Sequence, residues 1–286
     1  MSDLIFDARV SADGRATLGP RSLGLRSDLD RRFAGWGVDQ FGAVPTAYPT
    51  VLTVAELGPL DYFDNFPHLA SVVTGLTGDR EPVLPAAHAL PSAACYSAYL
   101  DRSGSTLDGP VTVTTVADCF RREQHYDGLR RLYGFSMREI VRIGPRETVL
   151  DFLAAARQRV RSFLDAVGLP YELAAATDPF FDPSGARSLM QKLFPVKEEF
   201  GYGGSLAIAS VNFHRNFFGE RCRISLPDGS PAFTGCVAFG LERWLAALGE
   251  HFGGDADRAA AALAAADEAL PAAVVAGGEA AEGVRA

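Results

Sequence analysis

An α+β fold, an antiparallel sheet flanked by helices, is predicted by three stretches of the sequence. The run Val111–Val116 and the run Met137–Ile143 are rich in β-branched residues, with an Asp127-Gly128 turn signal between them. They read as the arms of a long hairpin centred on Asp118–Ile143. After it, Val149, Leu153, Ala156, Val160, Phe163 and Val167 recur at steps of four and three between Pro145 and Gly168, the spacing of one amphipathic helix of about five turns. Further on, the small-residue run Gly235–Gly240 reads as a strand leading into a helix whose Leu241, Trp244, Leu245 and Leu248 face a core.

A chain of 286 residues is long enough to bury a large core as one domain or one domain with an appendage. Its 48% hydrophobic and 22% charged residues are ordinary for a globular protein. No apolar run is long enough to span a bilayer, and MSDLIFDARV lacks the basic-then-apolar layout of a secretion signal, so a cytoplasmic protein with no membrane partner is expected. Cys95, Cys119, Cys222 and Cys236 are widely spaced and read as thiols or metal ligands, not as a disulfide framework. A net charge of −8 argues against a chain built to grip a phosphate backbone.

The elements in order divide the chain into a segment 1–45, a main domain 46–254 and an Ala-rich portion 255–286. In the first, a short strand and a helix around Ser27–Phe33 are predicted, with a cluster at Arg21, Arg26, Arg31 and Arg32. From Tyr48 an apolar opening leads to Phe66-Pro67 and an apolar run. Two prolines in Val83–Asp101 delay a short helix to near Ser92. On the hairpin, alternation puts Cys119, Arg121 and Glu123 on one face, and Met137, Glu139, Val141 and Ile143 on one face of the returning strand. Glu139 is therefore a carboxylate on an apolar surface and needs a partner, for which a metal is one candidate.

On the following helix, Arg157, Arg159 and Arg161 lie off the apolar stripe and read as a solvated face. Tyr171–Phe181 is expected to be a strand ending at Asp178-Pro179, and Ser205–Val211 another. Between them, LMQKLFPVKEEFGYGG would form a short helix and a covering loop, with Lys197, Glu198 and Glu199 at the surface. Alternation places Ser210, Asn212 and His214 on one face, a polar pocket wall, with a structural role the common one for His214. Leu226–Ser230 is a tight turn. Arg243 falls in the first turn of its helix, where the dipole is already positive, which calls for an anionic partner. Asp255–Leu270 reads as a helix, followed by a disordered tail.

Phe120-Arg-Arg-Glu123, followed by Gly128-Leu-Arg-Arg131 and Phe135, resembles motif 2 of class II aminoacyl-tRNA synthetases, and Gly235-Cys-Val-Ala-Phe-Gly-Leu-Glu-Arg243 resembles motif 3. Within that superfamily the chain is most similar to the amino acid:[carrier protein] ligases, which resemble the core of atypical zinc-dependent seryl-tRNA synthetases without the tRNA-binding domain. The resemblance runs from about Tyr48 to Phe252 and places the dimer-forming motif 1 in the stretch after Tyr48.

The resemblance implies a class II synthetase-like catalytic domain working as a homodimer, with a phosphopantetheinylated carrier protein as partner and no tRNA. It implies Zn2+ on Cys95, Glu139 and Cys236, three ligands that leave a tetrahedral ion one open position for the amino group of the substrate. Cys119 and Cys222 fall at no ligand position. ATP with Mg2+ would be bound through Arg121 on the α-phosphate, Arg131 and Arg243 on the β- and γ-phosphates, Phe135 on adenine and Glu123 on the adenosine side. Arg121 and Arg243 would be the catalytic pair, and Ser210 and Asn212 would face the amino acid, glycine or alanine. The acidic magnesium ligand usual in the wider class has no counterpart, its place falling near Leu206. Two other functions fit the same motifs: charging of tRNA, and an inert synthetase paralogue that only binds.

Overall fold

The computed structural model describes residues 5–185, 189, 191, 193 and 196–270. Its centre is a seven-stranded sheet of β1 (Val44–Pro45), β2 (Val111–Phe120), β3 (Gly134–Gly144), β4 (Glu172–Ala175), β5 (Lys197–Tyr202), β6 (Leu206–Arg215) and β7 (Phe233–Gly240). They lie side by side as β1-β2-β3-β7-β6-β5-β4. β1 runs parallel to β2, and every other pair is antiparallel. The hairpin closes antiparallel, Val111 opposite Ile143 through to Phe120 opposite Gly134.

Alternation along the central strands assigns their side chains to two cores. On one face Ile140, Val237 and Phe239 pack with helices α1 (Pro20–Gly35), α3 (Arg146–Val167), α4 (Leu241–His251) and α5 (Ala256–Ala269). Phe33 stacks on Phe239 at 4.0 Å between centroids and meets Trp244 at 5.2 Å; each such fully buried side chain contributes about 1.5–3 kcal/mol. On the other face Val113, Val141, Ile143 and Cys236 pack with Tyr62, Tyr99 and Phe218. Tyr99 belongs to α2 (Cys95–Asp101). A small sheet of Leu52–Thr53, His88–Leu90 and Ser71–Val73 carries the chain over that second face. β7 is pressed against α3: a Cβ at Gly235 would come 2.9 Å from Leu153 and from Val149.

Several expectations need correction. The first helix spans Pro20–Gly35, not Ser27–Phe33: Pro20 opens it, and Leu25, Leu29 and Phe33 carry it into the main core. The strand expected over Tyr171–Phe181 stops at Ala175, because Asp178 turns inward to Lys197 and Gln191. The strand expected over Ser205–Val211 continues to Arg215. Lys197 is not a surface residue; its ammonium contacts Asp178 at 3.1 Å and Glu199 at 3.0 Å. The arginines of α3 are not one solvated face: Arg157 pairs with Glu198, and Arg159 lies over Trp36 and donates to the Leu270 carbonyl. Only Arg161 of the three is exposed.

Capped by Asp255, α5 ends at Ala269 as expected, and the tail beyond 270 lies outside the described residues. Much of the expected covering loop before Val196 lies outside them too. Among the described residues no helix is long and apolar enough to cross a membrane.

Candidate active site

Glu139 points from β3 into the second core, where its Oε1 accepts hydrogen bonds from the backbone N–H of Ala94 (2.9 Å) and of Cys95 (3.1 Å) at the start of α2. Two otherwise orphaned helix-start donors are thereby satisfied. Cys95 is carried by that same turn, and Cys236 by β7, one strand over from Glu139. The two sulfurs and a carboxylate oxygen lie within 4.8 Å of one another, all three residues being buried, and among the described residues no other such group of three is found.

The donor set fits a zinc ion on the structure's own terms. Glu139 Oε2 is buried and has no hydrogen-bond partner, a costly state for a carboxylate oxygen unless something positive meets it. Contact with Cys236 pulls the Cys95 thiol down, but burial and the adjacent Glu139 outweigh it and push the thiol up to about 11. For Cys236 the contact with Cys95, burial and Glu139 all push the same way, well above the usual thiol range. Two thiols and a carboxylate held this close cannot all ionise without a cation, and a borderline-soft divalent ion matches them. Cys119 and Cys222 are buried free thiols outside this group, as expected.

The cluster opens on a cavity of about 330 Å³. Ser210, Asn212 and His214 wall it from β6, as their alternation predicts, with Met137 and Ala238 from the neighbouring strands and Arg121 from the end of the hairpin. Asn212 Nδ2 donates to Ser210 Oγ (3.0 Å) and to Cys236 Sγ (3.3 Å). Burial pushes the His214 imidazole down to about 4, only partly opposed by Asp178.

Asp178 and Gln191, which sequence reasoning did not single out, and Lys197, which it read as a surface residue, form another part of this wall. Gln191 donates to Asp178 Oδ2 and accepts from the Asp178 backbone N–H, both at 3.0 Å, while Lys197 donates to Oδ1. Burial works against both charges. Lys197 and Gln191 nonetheless hold the Asp178 carboxyl below its ordinary range, and Asp178 with Glu199 raises Lys197. The only sequence signal was the Asp-Pro that ends β4's approach.

A second, smaller hollow is lined by Arg121, Glu123, Arg130, Arg131, Phe135 and Arg243, among others. Every residue expected to hold ATP is therefore brought to one place. The Arg121 guanidinium donates to the Ser92 carbonyl through Nη2 (3.1 Å) and Nε (3.3 Å) and lies over the Phe135 ring. Arg131 pairs with Glu123 at 2.6 Å. Arg243 donates to the carbonyls of Arg130 (3.1 Å) and Ala207 (3.2 Å); burial first, then Arg121, pushes it down to about 10. The guanidiniums of Arg121, Arg131 and Arg243 converge here, a setting that favours a polyanion. Leu206, near which the magnesium ligand of the wider class is expected to fall, is buried and apolar.

No family model matches the sequence. Two proteins of Bradyrhizobium diazoefficiens do: amino acid–[acyl-carrier-protein] ligase 1, 33% identical over 244 residues that make up 75% of this chain and 73% of that protein, and ligase 2, 33% identical over 238 residues, 73% and 70%. A serine–tRNA ligase of Gemmatimonas aurantiaca is 25% identical over 264 residues, 88% of this chain and 59% of that one. Among solved structures, the M. kandleri SerRS in complex with A. aeolicus tRNASec superposes with a TM-score of 0.74 at 17% identity, covering 92% of this chain and 58% of that chain. A Giardia lamblia prolyl-tRNA synthetase in complex with prolyl-adenylate gives 0.68 at 16%, covering 86% and 50%. The likeness to these two is one of fold. Taken with the 33% identity to the two ligases, it places the chain in the family of amino acid–[acyl-carrier-protein] ligases, enzymes built on the catalytic fold of class II aminoacyl-tRNA synthetases.

Proposed function

We propose that the chain uses ATP with Mg2+ to activate a small amino acid, glycine or alanine, as its adenylate and passes it to the phosphopantetheine thiol of a carrier protein. The observation that carries this reading is the position of Arg121, which lines both the cavity beside Cys95, Glu139 and Cys236 and the hollow that holds Arg131 and Arg243. A carboxylate in the first and a triphosphate in the second would meet at that side chain.

In the first step a carboxylate oxygen attacks the α-phosphorus and pyrophosphate leaves. Arg121 neutralises charge on the α-phosphoryl oxygens, and Arg131 and Arg243 draw the leaving pyrophosphate. Phe135 offers a face for adenine, and Glu123, which orients Arg131, sits on the adenosine side. In the second step the thiol loses its proton to solvent and its sulfur attacks the carbonyl carbon, the carbon–oxygen bond of the anhydride breaks and AMP leaves, so cleavage of the adenylate drives thioester formation. Most of the acceleration comes from alignment and charge neutralisation.

Cys95, Glu139 and Cys236 would hold zinc, which when bound supplies a Lewis-acidic anchor for an amine. Ser210 and Asn212 border that anchor and set the space left for the substrate's side chain; exclusion of bulk discriminates better than missing contacts do. A homodimer is part of the same proposal. ATP–pyrophosphate exchange measured across the amino acids tests the reading: exchange with glycine or alanine at the head of the series supports it, and no exchange with any amino acid would defeat it.

A further inference from the structure

The cavity wall contains two side chains whose nitrogens approach one sulfur, that of Cys236. Asn212 stands directly across from Cys236 in the β6–β7 register, which is why its Nδ2 reaches the Cys236 sulfur at 3.3 Å while its other hydrogen goes to Ser210 Oγ. Two residues on, the register slips between Phe213 and Arg215. A bulge of this kind re-aims a side chain, and here it places His214 Nε2 at 3.9 Å from the same sulfur. The other ring nitrogen, Nδ1, meets Tyr99 Oη at 3.1 Å and Thr234 Oγ1 at 3.4 Å.

We infer that Asn212 and His214 are positioning residues that donate hydrogen bonds to Cys236 as a metal-bound thiolate, and that Tyr99 fixes the His214 tautomer that can do so. A thiolate carries only lone pairs and can only accept. An imidazole facing it must therefore present N–H from Nε2, which leaves Nδ1 an acceptor. Nδ1 is met by two hydroxyls, both able to donate, so the surroundings match that tautomer and oppose the other, in which two lone pairs would face each other. Partners of this kind hold a ligand's orientation and draw off part of its charge, and their loss typically weakens metal binding about 10- to 100-fold. The two donors act on Cys236, and the Glu139 carboxylate is oriented independently by α2.

This inference rests on the metal reading of the site, and cobalt separates the two. Metal-free full-length protein titrated with Co2+ should show a sulfur-to-cobalt charge-transfer band that Cys236→Ser diminishes. In Asn212→Ala and in His214→Phe the band should move to longer wavelength, because a thiolate stripped of a hydrogen bond gives up electron density more readily. Co2+ binding should weaken about 10- to 100-fold in both. His214→Gln, which can return an N–H near the Nε2 position, should bring the band back toward wild type, and Tyr99→Phe should fall between. If wild type binds cobalt with thiolate bands and both variants, folded by circular dichroism, keep its band position and affinity, the inference fails and the metal site stands. A wild-type protein without thiolate bands would overturn both.

Discussion

Arg121 lies with its guanidinium carbon 5.0 Å from the centroid of the Phe135 ring, and it lines both the cavity beside Cys236 and the hollow that holds Arg131 and Arg243. An aromatic face under a guanidinium keeps its fork flat, while the Ser92 carbonyl holds the Nε and Nη2 edge. Arg121→Ala should lower ATP–pyrophosphate exchange at least 100-fold, about 2.7 kcal/mol or more of transition-state stabilisation, with an unchanged far-ultraviolet spectrum. Arg121→Lys should restore little, because a point charge cannot grip two phosphoryl oxygens at once. Near wild-type exchange in Arg121→Ala would refute the assignment.

Freshly purified protein should contain about one zinc per chain. Cys236→Ser should lose the metal and the exchange activity together. Elemental analysis that finds no zinc, or a Cys236→Ser protein that exchanges normally, would remove the metal from the proposed function while leaving the phosphate-binding arginines untouched.

Loading of a phosphopantetheinylated carrier protein, read as a mass increase of one aminoacyl group on the carrier, is the expected end of the reaction. The same preparation should not charge tRNA. Efficient aminoacylation of tRNA with no carrier loaded would move the chain to the function of its serine–tRNA ligase relative.

The Asp178–Lys197 pair should shape stability against pH. The folded-state pKa of Asp178 is depressed below 3.8, so its contribution is complete above that value and is lost as pH falls through the lower one. Lys197 is raised above 10.5, so its contribution is complete below that value and is lost as pH rises through the higher one. Asp178→Asn should flatten both arms of a denaturation-versus-pH curve. At neutral pH it should cost more than the ~1 kcal/mol of an exposed pair and less than the ~3 kcal/mol of a fully buried one, since Asp178 keeps 38% of its side chain exposed. Parallel curves for variant and wild type would show that the pair does not matter to folding.

Phe33→Ala should destabilise the fold by about 3–5 kcal/mol. Phe33 is fully buried between Phe239 and Trp244, so a loss below 1 kcal/mol in urea denaturation would mean that α1 is not part of the main core.

The central architecture was legible because its signals are local. β-branched runs flank an Asp-Gly for β2 and β3, and a Pro-to-Gly frame encloses a clean four-three stripe for α3. The side of β3 that Glu139 occupies followed from alternation alone, and motif order supplied its partners Cys95 and Cys236. What stayed hidden depends on residues far apart in the chain. Nothing local marks Lys197 as turned inward: two glutamates follow it, and its partner Asp178 lies nineteen positions away. Arg159 reads as solvated until Trp36 and the Leu270 carbonyl come beneath it. The length of α1 was masked by its arginines, since Leu25, Leu29 and Phe33 make too narrow a stripe to stand out among them. Alternation gives the face on which His214 lies, but its approach to the Cys236 sulfur depends on the pairing of β6 with β7, which no single strand's pattern contains.

β7 carries Cys236 toward the cavity and Val237 and Phe239 toward the opposite core, and Gly235 beside them admits α3 at close range. Any ion captured by Cys236 is therefore fastened to the strand that binds the two halves of the fold together, so its binding energy is also folding energy. At a free metal concentration 100 times the dissociation constant the linkage amounts to about 2.7 kcal/mol. A cell that starves this protein of metal would find the chain easier to unfold and degrade, so the abundance of the protein, as well as its turnover rate, would follow the metal supply.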